Sequence, residues 1–326
     1  MNQLEEAYRR AEEFLRSHHR FLLLTHVHPD GDALGSVLGM ASVLKHLGKE
    51  VVVAHEEPMP ERFSYLPGIG EVRPVDEVTD VFPAAVAVDC ADLRRLGKAA
   101  EKLTSDTRLL NVDHHATNDR FGTENLVDPD ASASCQLVSE LAKRLGVPLA
   151  GETAICLYTG LFTDTGGFRY SNTSSAVLRL AAEMIDSGLD PYPIALQAVE
   201  TVTEKQLRLL VVALDGLRTA AKGKIAYLAV TRQMMEETGT GVEDTQELVN
   251  YARNLAGVEV GVMFREEGDN EIKVSLRAKH EVNVSQIAAQ FGGGGHARAA
   301  GFTVQGPLDK AIRQVVDAVA AQVGQG

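Results

Sequence analysis

The sequence predicts an α/β protein of two domains: a doubly wound parallel sheet, then a linker helix leading to a second, smaller α/β domain. Three observations predict it. Short apolar runs alternate with helical patterns through the first half, as expected for parallel strands joined by crossover helices. Three of those runs break off into carboxylates and imidazoles, as expected where strands end along one ligand-binding edge. Two prolines then interrupt the pattern between residues 186 and 205, and a new set of strands and helices begins near Leu217. The expected boundaries are 1–188 for the first domain, 189–216 for the linker and 217–326 for the second.

The elements follow in order. The opening "MNQLEEAYRRAEEFLRSHHR" is amphipathic and lacks the apolar core of a secretory signal. Phe21–Thr25 is a strand. "ALGSVLGMASVLKHLG" is a helix closed by Gly48, where a left-handed residue ends many helices. "EVVVAHE", Ala84–Cys90 and Thr107–His115 are further strands, and Ser132–Leu145 and Gly151–Leu161 are helices. "NTSS" (Asn172–Ser175) reads as a helix N-cap. In the second half "KIAYLAV", "VEVGVMF", "EIKVSLRA" and "GFTVQ" read as strands, and "TQELVNYARNLA", "NVSQIAAQF" and "LDKAIRQVVDAVAAQV" as helices.

Composition narrows the function. Hydrophobic residues make up 44% and charged residues 24%, normal for a globular protein, and no apolar stretch reaches the ~18 residues of a membrane span. Cys90, Cys135 and Cys156 are far apart and read as buried, reduced thiols, which predicts a cytoplasmic protein with no membrane partner. The net charge of -13 argues against tracking long nucleic acid on a basic surface. A small anionic substrate held by local positive groups and metal ions remains open.

The chemistry lies at the strand ends. "HVHPDGD" supplies His26, Asp30 and Asp32; the next strands supply Asp89, then Asp113, His114 and His115; "LFTDTGG" adds Asp164. One such cluster alone reads either as an acidic surface turn or as a metal site at a strand end. Three at one sheet edge point to a metal site. Asp and His donors without Cys suit a hard-to-borderline ion such as Mn²⁺ rather than a structural Zn²⁺. Four Asp and two His exceed one ion's needs and suggest two, with one carboxylate between them, a recurring device for phosphoester hydrolysis.

A second cluster joins "SLRAKH" to "GGGGHARAAG". Glu271 to Gly301 holds four Lys or Arg against two Glu in an otherwise acidic chain. Glycines let backbone N–H groups approach phosphate. Arg277, His296 and Arg298, with Gly293, Gly294 and Gly295, are therefore candidate substrate residues.

"HVHPDGDALGS", "VDC", "VDHH" and "FTDTG" resemble, in order and spacing, the four motifs of the DHH phosphoesterases. "FGGGGHARAAGF" resembles the glycine-rich signature of their associated C-terminal domain. Length and domain content are most similar to the nanoRNase and pAp phosphatase branch, which degrades very short oligonucleotides and 3′-phosphoadenosine 5′-phosphate. The resemblance implies two Mn²⁺ ions, one held by His26, Asp30 and Asp89, the other by Asp32, Asp89, His114 and Asp164. It implies that His115 faces the scissile phosphate and that Asp113 orients an imidazole. It implies a substrate-binding second domain, with Arg277 and His296 on the phosphates and terminal nucleotide and Gly293–Gly295 as a cradle. It also implies a homodimer. Relatives that hydrolyse cyclic di-AMP or pApA need the same metals. A manganese pyrophosphatase would replace the glycine-rich element by a dense Lys/Arg cluster, and a dead nucleotide sensor would lack a ligand.

Other residues read as structural. His18, His19, His46, His55 and His280 are expected to be solvated, His28 is a loop residue, and "EKLTSDTR" is a solvated face. Arg169 either contacts phosphate or braces its loop.

Overall fold

The computed structural model describes residues 3–268 and 270–323. The chain divides into two units, Met1–Thr201 and Val202–Gly326.

The first unit runs α1 (Gln3–Ser17), β1 (Arg20–Leu24), α2 (Gly31–His46), β2 (Glu50–His55), β3 (Arg73–Pro74), β4 (Ala84–Val88), β5 (Arg108–Asp113), β6 (Glu124–Val127), α3 (Ser134–Arg144), α4 (Gly151–Asp164), α5 (Ser175–Asp186) and α6 (Pro191–Ala195). All its strands are parallel, in the order β3-β2-β1-β4-β5-β6. The strand order reverses direction between β1 and β4, and ligands bind at such a switch point, outside the C-terminal strand ends. β4 is apolar throughout and β1 from Phe21 onward because both sheet faces are covered there. Phe21 and Leu23 enter a core with α1 to α4, while Leu22 and Leu24 pack with Phe82, Leu96 and Ala99 on the other face.

α2 and α4 meet through glycine. A Cβ on Gly35 would lie 2.5 Å from the Cys156 carbonyl oxygen, and one on Gly160 would lie 2.7 Å from Asp32 Oδ1. Only a bare backbone allows that approach, which carries the two helices, with Asp32 and Asp164, to the same edge. The chain leaves α2 as expected, with Gly48 at φ +71, and Ser174 caps α5 by accepting from Val177 N–H.

The second unit holds α7 (Glu204–Asp215), β7 (Arg218–Ala220), β8 (Ile225–Val230), α8 (Arg232–Thr238), α9 (Leu248–Asn254), β9 (Val260–Gly268), β10 (Glu271–Ala278), α10 (Val284–Gln290), β11 (Gly294–His296), β12 (Ala299–Gln305) and α11 (Leu308–Val323). Its mixed sheet has the order β11-β12-β10-β9-β8-β7, with β8 and β9 parallel. α10 and α11 cover one face, and α7 and α9 part of the other. The region read as a linker becomes α6, a π-helical turn Leu196–Glu200, and α7. The short strands β3, β6, β7 and β11 have no counterpart in the sequence reading. The helix expected from Thr245 starts only at Leu248, because Val242–Thr245 forms a 3₁₀ turn. Among the described residues no helix is long and apolar enough to cross a membrane.

Candidate functional site

The loop after β1 carries His26 and Asp30. Asp30 is the N-cap of α2: its Oδ1 accepts from the N–H groups of Asp32 and Ala33 at 3.1 and 3.0 Å. Asp32 then lies in the first turn of α2, where its carboxylate accepts from Ser134 N–H (2.6 Å) and Cys135 N–H (2.9 Å) at the start of α3. Asp89 follows β4, and its φ of +54 is left-handed, an uncommon conformation for a residue with a side chain. Its N–H still donates to Val112 O at 2.9 Å, so the turn is locked to β5, and Ser134 Oγ donates to its Oδ1 at 3.0 Å. β5 delivers Asp113, His114 and His115, and α4 ends on Asp164.

Among these side chains three groups of donor atoms each lie within 4.8 Å of one another: His26 with Asp30 and Asp89, Asp32 with His114 and Asp164, and Asp89 with Asp113 and His115. Asp89 links them, at 3.4 Å from His26 Nε2 and 3.6 Å from His114 Nε2. Asp32 and Asp164 lie 3.8 and 3.9 Å from the same His114 nitrogen. Such separations sit at or beyond the limit of a hydrogen bond, but suit donors about 2.1 Å from a shared ion. The other ring nitrogens face backbone oxygens: His26 Nδ1 lies 2.8 Å from Val27 O, and His114 Nδ1 3.3 Å from Ala131 O. A neutral ring with its proton on Nδ1 would turn its Nε2 lone pair toward the carboxylates, as ligation requires.

The electrostatics favour a cation. Burial, then Asp89, pushes the Asp32 carboxyl well above its usual range. Burial raises Asp164 to about 6, although His114 opposes it. Burial works against charging His114, yet Asp164, Asp89 and Asp32 lift it to about 9. Burial would also raise Asp89, but a hydrogen bond to His26 and the surrounding imidazoles hold it far below the ordinary range. Four carboxylates, Asp30, Asp32, Asp89 and Asp164, with few positive groups among them, in an oxygen and imidazole donor set, fit divalent ions.

His115 belongs to the third group, with Nδ1 3.7 Å from Asp89 Oδ1. Its Nδ1 hydrogen-bonds Asp113 Oδ1 at 2.7 Å, and Asp113 Oδ2 accepts from Asn118 Nδ2 at 2.6 Å. Its ring is edge-on to His114, 4.9 Å between centroids. Burial would raise the Asp113 carboxyl, but the His115 hydrogen bond keeps it lowered, so it stays an anion that orients the imidazole.

In the second unit, Arg277 pairs across the sheet with Ala299, which pairs with His296. Directly opposed residues share a face, so Arg277 and His296 stand on one side, about 10 Å apart. Arg277 Nη1 donates to Leu276 O at 3.1 Å, and Arg298 Nη1 donates to Val282 O at 3.0 Å, bracing the hairpin. A Cβ on Gly293 would lie 2.3 Å from Gly301 O, and one on Gly295 2.5 Å from Ala299 O, so both glycines are required by β12; beside Gly294 the space is open. Arg169 braces its own loop by donating from Nε to Gly166 O at 2.5 Å.

Residues 20–161 match the DHH family N-terminal domain and residues 222–325 the DHHA1 domain. A bifunctional oligoribonuclease and PAP phosphatase NrnA of Thermus thermophilus is 38% identical over 301 residues, 91% of this chain and 88% of the relative. The chain belongs to the DHH phosphoesterase family. The NrnA of Bacillus subtilis strain 168, described in the same words, is 30% identical over 91% of this chain and 92% of its own. An exopolyphosphatase-related protein from Bacteroides fragilis has a TM-score of 0.87 at 25% identity, covering 98% of this chain and 97% of its own. RecJ from Thermus thermophilus, solved with Mn²⁺, shares the fold at TM-score 0.51 and 18% identity over 98% of this chain and 54% of RecJ.

Several residues around this DHH centre escape the sequence reading. Ser134 and Asn118 tie Asp89 and Asp113 down, and Asn172 Nδ2 lies 3.1 Å from Asp164 O and 3.3 Å from its Oδ2. His55 corrects an expectation. It is not solvated but buried, with Nε2 3.1 Å from His26 O. Register could have found it, since β2 runs beside β1 and ends at the same edge.

Proposed function

We propose that the chain is a metal-dependent phosphoesterase that degrades very short oligoribonucleotides to 5′-mononucleotides and converts 3′-phosphoadenosine 5′-phosphate to AMP. The observation that carries this reading is the pair of donor groups meeting at Asp89, at the switch point of the sheet. Two relatives named as oligoribonucleases and PAP phosphatases support the substrate class. His26, Asp30 and Asp89 would hold one Mn²⁺, and Asp32, Asp89, His114 and Asp164 the other. When bound, such ions lower the pKa of water and neutralise charge on the attacking and leaving oxygens. The protein's own part is positional. Asp113 and Asn118 aim His115 at the phosphoryl oxygens, where an N–H donor offsets developing negative charge. Arg277 and His296 hold substrate phosphates, with the backbone around Gly294 beside them. Three buried thiols, unpaired among the described residues, suit a reducing cytoplasm.

A panel with Mn²⁺ tests this: pAp, di- to pentaribonucleotides, a long RNA, pApA, cyclic di-AMP and pyrophosphate. Short RNA and pAp should give the highest kcat/KM. A clear preference for cyclic di-AMP or pyrophosphate would overturn the reading.

We propose also that the chain pairs as a homodimer through α7. Leu207, Val211 and Leu214 form an outward apolar stripe, with Val211 69% exposed, although Leu209 and Ala213 already bury the opposite side of the helix. Arg208 and Asp215 flank the stripe about nearly the same midpoint, so an antiparallel second copy would set each against its opposite charge. Light scattering should give a dimer, and Val211→Glu a monomer. A monomeric wild type would contradict it.

A further inference from the structure

We propose that the turn after β2, His55 to Glu57, positions the metal-ligand loop and sets the affinity for the ion on the His26 side; the inference rests on the metal centre read above. β1 and β2 are parallel neighbours, with Leu23 opposite Val53. Their continuations therefore leave the sheet side by side, and His55 arrives next to the chain that carries His26.

The bonding there is directional. His55 Nδ1 lies 3.1 Å from Glu57 N and 3.2 Å from Glu57 O; because Nε2 faces the carbonyl of His26, which can only accept, the ring proton is placed on Nε2 and Nδ1 accepts from Glu57 N–H. Nε2 in turn donates to the carbonyl of His26 at 3.1 Å. The His26 ring donates from Nδ1 to Val27 O, leaving Nε2 toward Asp89. His55 thus fixes the main chain of a ligand whose side chain is fixed by the next peptide. Glu57 holds the same loop at a second point. Its carboxylate takes the N–H of His28 at 2.6 Å and lies 2.7 Å from His28 Nδ1. His28 has a φ of +55, which the loop adopts against the usual preference of a side-chain-bearing residue. Glu56 anchors the turn from behind by accepting from Lys98 N–H at 2.5 Å. Val27 N–H donates to Arg95 O at 2.8 Å, so the loop is gripped on both sides. None of these groups belongs to any of the donor groups. They act through His26 and Asp30, as positioning residues, and outer partners of this kind are worth about 10–100-fold in metal affinity.

The test is a Mn²⁺ titration of the full chain by calorimetry and electron paramagnetic resonance, with the melting temperature of each metal-free variant. His55→Phe and Glu57→Ala should weaken one of two Mn²⁺ sites by about 10–100-fold and leave the other near wild type. His55→Gln, which keeps an N–H donor of similar reach, should recover most of the loss. If His55→Phe does not fold, Glu57→Ala and His55→Gln decide. Wild-type affinity at both sites in folded variants would overturn the proposal. So would equal weakening of both sites together with a lowered melting temperature, which marks a merely structural role. A wild-type chain that binds no Mn²⁺ would instead remove the metal-centre reading beneath it.

Discussion

His114 and His115 are adjacent residues with different surroundings, and their substitutions should fail in different ways. His114 is turned toward Asp32, Asp89 and Asp164, while His115 is held by Asp113. His114→Ala is expected to lose one of two Mn²⁺ ions by metal analysis. His115→Ala should keep both and lower kcat by about 10²-fold or more. Asn118→Ala, which releases Asp113, should lower kcat by less, again with metal retained. Equal metal loss from His114→Ala and His115→Ala would sink the distinction. At this scale much was legible, since carboxylates and imidazoles packed at the ends of apolar runs have a chemical meaning before any fold is known. His55 was not. A single histidine after a strand looks the same whether solvated or buried, and only the register of β1 and β2 shows that it reaches His26 O. Ser134, Asn118 and Asn172 were hidden likewise, because common polar residues acquire a role only through what they face.

The elements place the residues, and the α2–α4 contact is the most exacting. Gly160→Ala would set a methyl group 2.7 Å from Asp32 Oδ1 and 2.2 Å from Cys135 Sγ. It is expected to destabilise the metal-free protein by about 1–3 kcal/mol in denaturant unfolding. It should also weaken Mn²⁺ binding through Asp32, whereas Gly146→Ala, which strains a left-handed backbone (φ +77) but meets no neighbouring atom, should cost stability and leave the ion in place. Unchanged metal affinity in Gly160→Ala would show that the close approach does not position the ligand. The long helices and buried strands were readable because their periodicity runs over several turns or an unbroken apolar stretch. β3, β6, β7 and β11 span two to four residues each, too short for a period to show. β3 even contains Pro74, which an edge strand tolerates and a sequence pattern counts against.

At the scale of the whole molecule, charge bears on substrate length. The net charge is -13, and the positive groups assigned to substrate lie between Arg277 and Arg298. A long strand would extend over an acidic surface and be repelled. Di- to pentaribonucleotides should therefore exceed a long RNA in kcat/KM, and the gap should narrow as salt rises. Arg277→Ala and His296→Ala should raise KM for the short substrates with metal content unchanged. A long RNA cleaved as efficiently as a trimer at low salt would contradict this. The two-domain plan was legible from the prolines that interrupt the pattern between residues 186 and 205 and from the new set of strands and helices that follows.

In the proposed centre Asp89 joins two metal sites, and Mn²⁺ titration followed by low-temperature electron paramagnetic resonance reads that junction. The wild type should bind two ions per chain and show the signature of an exchange-coupled pair, and Asp89→Asn should lose the coupling together with hydrolysis of a diribonucleotide. Two uncoupled ions in the wild type, or a coupled pair that survives Asp89→Asn, would contradict it.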